Sequence, residues 1–319
     1  MMSQASIFRG LSAFPLTPAD SDGVVDTESF AIMLDRLVAE GVDSITVLGS
    51  TGTYAYLDRR QRTRALAAAE ETIAGRVPLI VGVGALRTLW VCELAGEAER
   101  LGADGLLLPP VSYTPLTQNE VFTHFQTAAS ATALPICIYN NPTTTHFTFS
   151  TELVSRLSGL SHVEAIKMPL PAHGDFGREI GVLRSTCSDE LVIGYSGDWG
   201  AHAALLAGAD AWYSVVAGLL PAAALRLTRT AMAGEREAAQ AANAVFQPLW
   251  SLFRTHGSLR VMYLIAEQLG LRPGLPPTPI QPLPSALNAA VADAVRDVTD
   301  WLIMDDARPP ATAFAPRNV

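Results

Sequence analysis

Gly41-Val42-Asp43-Ser44-Ile45-Thr46-Val47-Leu48 joins two different periodicities, and its opening phrase recurs as Gly102-Ala103-Asp104 and Gly208-Ala209-Asp210. Before the first copy, residues 27–40 space their apolar side chains as one face of a helix does. After it, residues 44–48 form a short apolar run rich in β-branched side chains. A glycine just past the last helical turn takes the left-handed conformation that closes a helix. Each copy therefore marks the exit of a helix into a strand, a single structural device used three times.

Working outward from these junctions, eight β-rich runs recur, at 11–14, 44–48, 78–83, 105–108, 135–139, 163–167, 191–195 and 211–216. Helical spacing fills the intervals, as at 27–40, 59–74, 88–101 and 119–132. Continuous apolar strands alternating with helices predict a parallel sheet covered by helices. Eight repeats suit a closed (β/α)8 barrel, the TIM-barrel architecture, better than an open doubly wound sheet, and such barrels run to about 250 residues. Further helical stretches, near 221–233, 236–255, 258–269 and 285–304, exceed the single helix needed to finish the barrel. The expected division is a barrel over residues 8–233, a C-terminal helical extension packed on it over 234–304, and a flexible tail over 305–319. The proline-rich strip 272–284 cannot be regular helix or central strand and should cross the surface.

Composition narrows the function classes. A formal charge of −9 argues against a nucleic-acid or anionic-membrane partner. Cys92, Cys137 and Cys187 are odd in number and far apart, which suits free thiols in a reduced compartment rather than a disulfide framework or a zinc site. The first residues carry no basic stretch followed by an apolar run, and no apolar stretch is long enough to span a bilayer, so a cytoplasmic protein is expected. The scattered histidines form no HExxH or paired spacing, and no metal site is expected.

Of the 22 basic residues, one is lysine and all others are arginine. That lysine, Lys167, closes the run Val163-Glu164-Ala165-Ile166, and in a barrel the carboxyl ends of the strands face the active site. A strand-end lysine can simply reach water. Yet wherever a positive charge suffices, this chain uses arginine, whose guanidinium stays protonated and cannot act as an amine nucleophile. A lysine that burial can deprotonate attacks a ketone to give an iminium. The solitary lysine points to chemistry that only lysine performs.

Several phrases, in order, carry a resemblance: Thr17-Pro18 before Asp22-Gly23, Gly49-Ser50-Thr51-Gly52, Gly82-Val83-Gly84, Pro110-Val111-Ser112-Tyr113, Tyr139-Asn140-Asn141-Pro142, Ile166-Lys167, Ser196-Gly197-Asp198 and Leu269-Gly270-Leu271-Arg272-Pro273-Gly274. From about Gly10 to Pro284 the chain resembles the dihydrodipicolinate synthase and N-acetylneuraminate lyase family of class I aldolases. The resemblance implies that Lys167 forms the imine and that Tyr139 passes protons to and from the carbinolamine and the leaving group. Gly49, Ser50 and Thr51 would bind the substrate carboxylate through backbone N–H groups and hydroxyls. Thr51 and Tyr113 would join the proton relay, Tyr113 from a neighbouring subunit of a homodimer or homotetramer. Thr144, Ser196, Gly197 and Asp198 would complete the substrate site, and no cofactor is implied beyond the covalent Schiff base on Lys167.

The match is not uniform. Thr143-Thr144-Thr145 stands where the synthase branch carries an arginine for the second substrate's carboxylate, and a threonine cannot form a bidentate ion pair. Thr53 replaces a usual glutamate, Met168 follows the lysine where an acidic residue is common, and Trp199 follows Asp198. These changes are expected around the distal part of the pocket, where they suggest a less charged or differently shaped second substrate. The expected activity is a Schiff-base lyase, aldolase or dehydratase, on pyruvate or another 2-oxo acid such as a 2-oxo-3-deoxy sugar acid. A hydroxyproline-pathway deaminase and a hydratase-aldolase are also compatible with the family. The alternatives are 4-hydroxy-tetrahydrodipicolinate synthase proper, which the absent arginine disfavours, and a regulatory barrel that binds a sugar acid without turnover. A phosphate-binding isomerase is a further reading. The glycine-containing loops 196–198 and 217–218 lack the basic residue expected beside a phosphate.

Overall fold

The computed structural model describes residues 6–306. Eight strands close into a barrel in sequence order: β1 (Gly10–Ala13), β2 (Ser44–Val47), β3 (Leu79–Gly82), β4 (Gly105–Leu108), β5 (Ile136–Tyr139), β6 (Val163–Met168), β7 (Val192–Tyr195) and β8 (Ala211–Ser214). Every pairing is parallel, and β8 returns to β1. The outer layer comprises α1 (Thr27–Glu40), α2 (Arg59–Ile73), α3 (Thr88–Arg100), α4 (Gln118–Ala129), the four-residue α5 (Pro142–Thr145), α6 (Thr151–Ser158), α7 (Phe176–Thr186), α8 (Ala201–Leu206) and α9 (Pro221–Met232). The extension adds α10 (Arg236–Val245), α11 (Gln247–His256), α12 (Ser258–Gln268) and α13 (Asn288–Asp306), packed against one another and against α8 and α9.

One expected helix is two. The stretch 236–255 breaks at Phe246, and α11 starts with Pro248 in its first turn. Proline has no N–H for the carbonyl four residues back, so a continuous helix would leave that carbonyl unpaired. The C-terminal helix runs through Asp306, and residues 307–319, most of the expected tail, lie outside the described residues. The proline-rich strip forms neither helix nor named strand and is tied at Gly274 to Ala19 by a single bridge. No helix among the described residues is long and apolar enough to cross a membrane.

The repeated Gly-Val/Ala-Asp phrase has a common geometry. The carboxylate of Asp43 accepts the N–H of Leu11 at 2.7 Å, that of Asp104 accepts Leu79 at 2.8 Å, and that of Asp210 accepts Ile193 at 2.8 Å. In each case the aspartate's own N–H donates to the carbonyl of the same residue, at 3.0, 2.8 and 2.8 Å. Each aspartate thus pins the start of the preceding strand to the start of its own, with a charge-assisted bond at the closed end of the barrel. Asp43 also holds Arg229 in a two-pronged pair, both contacts 2.8 Å. Gly10 must be glycine for this approach, since a Cβ there would fall 2.2 Å from Asp43 Oδ2.

Strand alternation sorts side chains into two cores. Phe8, Phe14, Ile80, Leu107, Cys137, Tyr139, Ala165, Val192, Ala211 and Tyr213 fill the barrel interior, whereas a larger cluster lies between strands and helices. Gly82 belongs to the inner face, where a Cβ would meet the Leu48 carbonyl oxygen at 1.9 Å. Leu48 itself has φ 54°, a left-handed conformation that costs a bulky residue about 1–3 kcal/mol. The missing side chain at Gly82 is what allows β2 to turn so sharply into the following loop.

Two stability measurements check this account. Asp43→Ala should lose about 1–3 kcal/mol in chemical denaturation, because the buried Leu11 N–H is left without an acceptor. Asp43→Asn, which keeps an acceptor oxygen, should lose clearly less, and equal losses would count against the strand-pinning role. Gly82→Ala should cost about 1–3 kcal/mol through the backbone collision, and an unchanged midpoint would show that the turn gives way freely.

Candidate active site

Ala165 faces the barrel interior, so two residues on in β6 Lys167 does too, at the carboxyl end of the strands. Ile166 and Met168 consequently point outward into the other core. Lys167 is only 3% exposed. Its Nζ lies 3.7 Å from the centroid of the Phe14 ring and 4.3 Å from that of Tyr139, its register partner on β5. Ring faces carry negative charge and attract a cation. The amine is held between them without an ion pair among the described residues.

The Tyr139 hydroxyl receives a hydrogen bond from Asn141 Nδ2 at 2.8 Å, and Ser50 Oγ stands 3.5 Å away, at the outer limit of a hydrogen bond. Asn141 belongs to the loop that enters α5, whose first residue is Pro142. Ser50 and Thr51 belong to the loop that Leu48 opens and Thr53, with φ 53°, helps to close. Gly49 lies against Phe14, where a Cβ would approach the ring to 2.9 Å; Gly52 is packed against the Leu48 backbone and Thr17. Beneath this loop the buried Arg62 guanidinium donates to the carbonyls of Gly82 at 2.8 Å and Gly84 at 3.0 Å, and lies 5.3 Å from the Tyr54 ring centroid. Burial pushes the Tyr54 phenol up to about 12 and Arg62 down to about 10. Both groups hold the loop from below.

These elements enclose a cavity of about 570 Å³ over the strand ends. Of the residues singled out in the sequence, Lys167, Tyr139, Ser50, Thr51, Thr144, Ser196, Gly197 and Asp198 line it. Gly49 supports the loop without lining the cavity, and Tyr113, 97% exposed, lies outside the cavity of its own chain. Asp198 is buried and its carboxylate is already occupied: Trp212 Nε1 donates at 2.9 Å and the N–H groups of Val215 and Val216 at 3.2 and 2.8 Å. Burial pushes its carboxyl up from the ordinary range. Ser196 Oγ donates to the Met168 carbonyl at 3.0 Å.

Of the four departures expected around the distal pocket, the Thr143-Thr144-Thr145 stretch, Thr53 and Trp199 line the cavity and Met168 does not. Strand alternation turns Met168 away, and its sulfur accepts Asn140 Nδ2 at 3.5 Å instead. Sequence reasoning missed Phe14 and Asn141, the immediate partners of the amine and the phenol. The phrase Tyr139-Asn140-Asn141-Pro142 contained the second of these, with no signal to separate it from its neighbour. It also missed Phe253, Ser258, Leu259 and Ile280, which the extension and the proline-rich strip bring to the wall.

The model of the dihydrodipicolinate synthetase family matches residues 7–298. A 4-hydroxy-tetrahydrodipicolinate synthase of Pseudomonas syringae pv. syringae is 33% identical over 283 residues, which is 88% of this chain and 95% of that one. The crystal structure of a dihydrodipicolinate synthase from Agrobacterium tumefaciens is 55% identical, with a TM-score of 0.91 over 92% of this chain and 98% of its own. A putative dihydrodipicolinate synthetase from Pseudomonas aeruginosa superposes with a TM-score of 0.84 at 28% identity, covering 91% of this chain and 99% of that one. With the family's motifs gathered at one barrel mouth and the match running nearly end to end, the chain belongs to the dihydrodipicolinate synthetase family and is a lyase of the class I aldolase type.

Proposed function

We propose that Lys167 forms a Schiff base with the ketone of a 2-oxo acid, pyruvate or a larger acid such as a 2-oxo-3-deoxy sugar acid, and that the enzyme then makes or breaks a bond in the attached carbon skeleton. The observation that carries this reading is the buried Lys167 amine, opening into a cavity and flanked by the Tyr139 phenol. An amine enclosed between two rings and opening into a cavity is placed to add to a carbonyl. A lysine that served binding alone would gain nothing from such burial, which counts against a non-catalytic sugar-acid-binding barrel.

The proposed steps use the groups gathered at the barrel mouth. The uncharged amine attacks the ketone carbon, and the oxygen collects protons and leaves as water. Tyr139, placed by Asn141 and near Ser50, carries those protons. The iminium draws electrons from the adjacent carbon, which lowers the barrier to forming or breaking the bond beyond it. The Ser50-Thr51 turn receives the substrate carboxylate, the small flanking glycines letting backbone donors come close. Asp198, which accepts three hydrogen bonds from its own chain, braces the turn after β8 where it lines the cavity.

A second reading, 4-hydroxy-tetrahydrodipicolinate synthase, is favoured by the names of the relatives. Against it, no arginine lines the cavity among the described residues, and Thr144 stands exposed where a carboxylate grip is needed. Assembly as a homodimer or homotetramer in the cytoplasm belongs to the same proposal. Supporting assembly, the Tyr113 phenol projects away from its own chain at the loop after β4.

Treatment with borohydride and pyruvate should add one reduced pyruvyl group to the protein and none to Lys167→Arg; unmodified wild type would refute the imine. Tyr139→Phe should lower kcat by about 10² or more while trapping persists. Asn141→Ala should lower kcat more than it raises KM and alter the pH profile, and a purely structural role would leave that profile in place.

A further inference from the structure

Resting on the Schiff-base reading, we propose that the second substrate is an uncharged aldehyde with an apolar, ring-sized body. The distal wall of the cavity is built from Tyr56 after β2, Val111 after β4, Trp199 after β7, Leu259 of α12 and Ile280 of the proline-rich strip. Five separate segments thus contribute large apolar or aromatic side chains to one cavity, beside the hydroxyls of Thr143, Thr144 and Ser258. Charged groups are scarce there. Lys167 is committed to the 2-oxo acid, and Asp198 is engaged by Trp212, Val215 and Val216. His146 stands exposed.

A carboxylate on the second substrate would lose water without gaining a guanidinium partner, a net cost. A polyol would leave part of its hydroxyls against Val111, Leu259 and Ile280, which cannot hydrogen-bond them. An apolar ring instead exchanges water for Trp199, Leu259 and Ile280, which is favourable in proportion to the area covered. Size agrees: about 570 Å³ lies in the range of about 300–1,000 Å³ typical of pockets for ligands far larger than pyruvate.

The reaction balances without a co-reactant. Pyruvate bound to Lys167 loses a C3 proton to become an enamine, and C3 bonds to the aldehyde carbon. The aldehyde oxygen takes a proton through Tyr139, and water then hydrolyses the iminium and frees the amine. Pyruvate and aldehyde sum to a 4-substituted 4-hydroxy-2-oxobutanoate.

The test compares kcat/KM for pyruvate with benzaldehyde, cyclohexanecarbaldehyde, succinic semialdehyde and glyceraldehyde. The two ring aldehydes should exceed the other two at least tenfold. Trp199→Ala should lower kcat/KM for the ring aldehydes at least tenfold, mainly through KM, and Thr144→Arg should shift preference toward succinic semialdehyde. Equal or better turnover of succinic semialdehyde or glyceraldehyde by wild type, or no turnover of ring aldehydes, overturns the inference. If borohydride still traps pyruvate in that case, the Schiff-base reading stands alone; if trapping also fails, both fall.

Discussion

An amine enclosed by two aromatic faces at the mouth of a closed barrel sets the terms for everything around it. Lys167 lies between Phe14 and Tyr139, with its stem inside the barrel and its nitrogen at the mouth. The closed barrel keeps water from the lysine stem, and no carboxylate among the described residues pairs with the amine. The nitrogen therefore meets two ring faces and the cavity, from which a carbonyl carbon can reach it.

That placement depends on features distant from the nitrogen. Period-two alternation makes Lys167 inward only because Ala165 is inward, and the register of β5 and β6 sets Tyr139 beside it. Asp43, Asp104 and Asp210 pin β1 to β2, β3 to β4 and β7 to β8 at the opposite end of the barrel, so the pairs on either side of β5 and β6 are fixed. A one-residue slip would exchange Lys167 with Met168, leaving the amine in the helix layer and the thioether in the cavity. The repeated aspartates fasten the strand pairs that flank β5 and β6, and Lys167 takes its inward position within the barrel they close.

The sequence revealed the features that have a local cause. Apolar runs, helical spacing and Gly-Val/Ala-Asp junctions marked the barrel because each arises from neighbouring residues. Lys167 was legible because its residue type is otherwise absent, and Ser50, Thr51 and Tyr139 because they belong to phrases. Phe14 was not legible: its role comes from barrel closure, which brings the end of β1 across to β6. Leu259 and Ile280 were hidden for the same reason, since they reach the cavity only through the fold of the extension. Met168 was misplaced because proximity in sequence to a catalytic residue means the opposite face in a strand.

The division of the site follows from these two kinds of constraint. The reacting end is built from strand termini and a turn locked by Gly82, Leu48 and Arg62, where a shift of one ångström would separate phenol from amine. The distal wall is built from loop tips and the added helices, which can change without altering barrel register. A family can therefore keep its chemistry while its second substrate varies. In this chain Thr144 and Trp199 lie on the variable side of that boundary, and Lys167 and Tyr139 on the fixed side. Identity to relatives of known name therefore informs on the barrel mouth more securely than on the molecule that enters it.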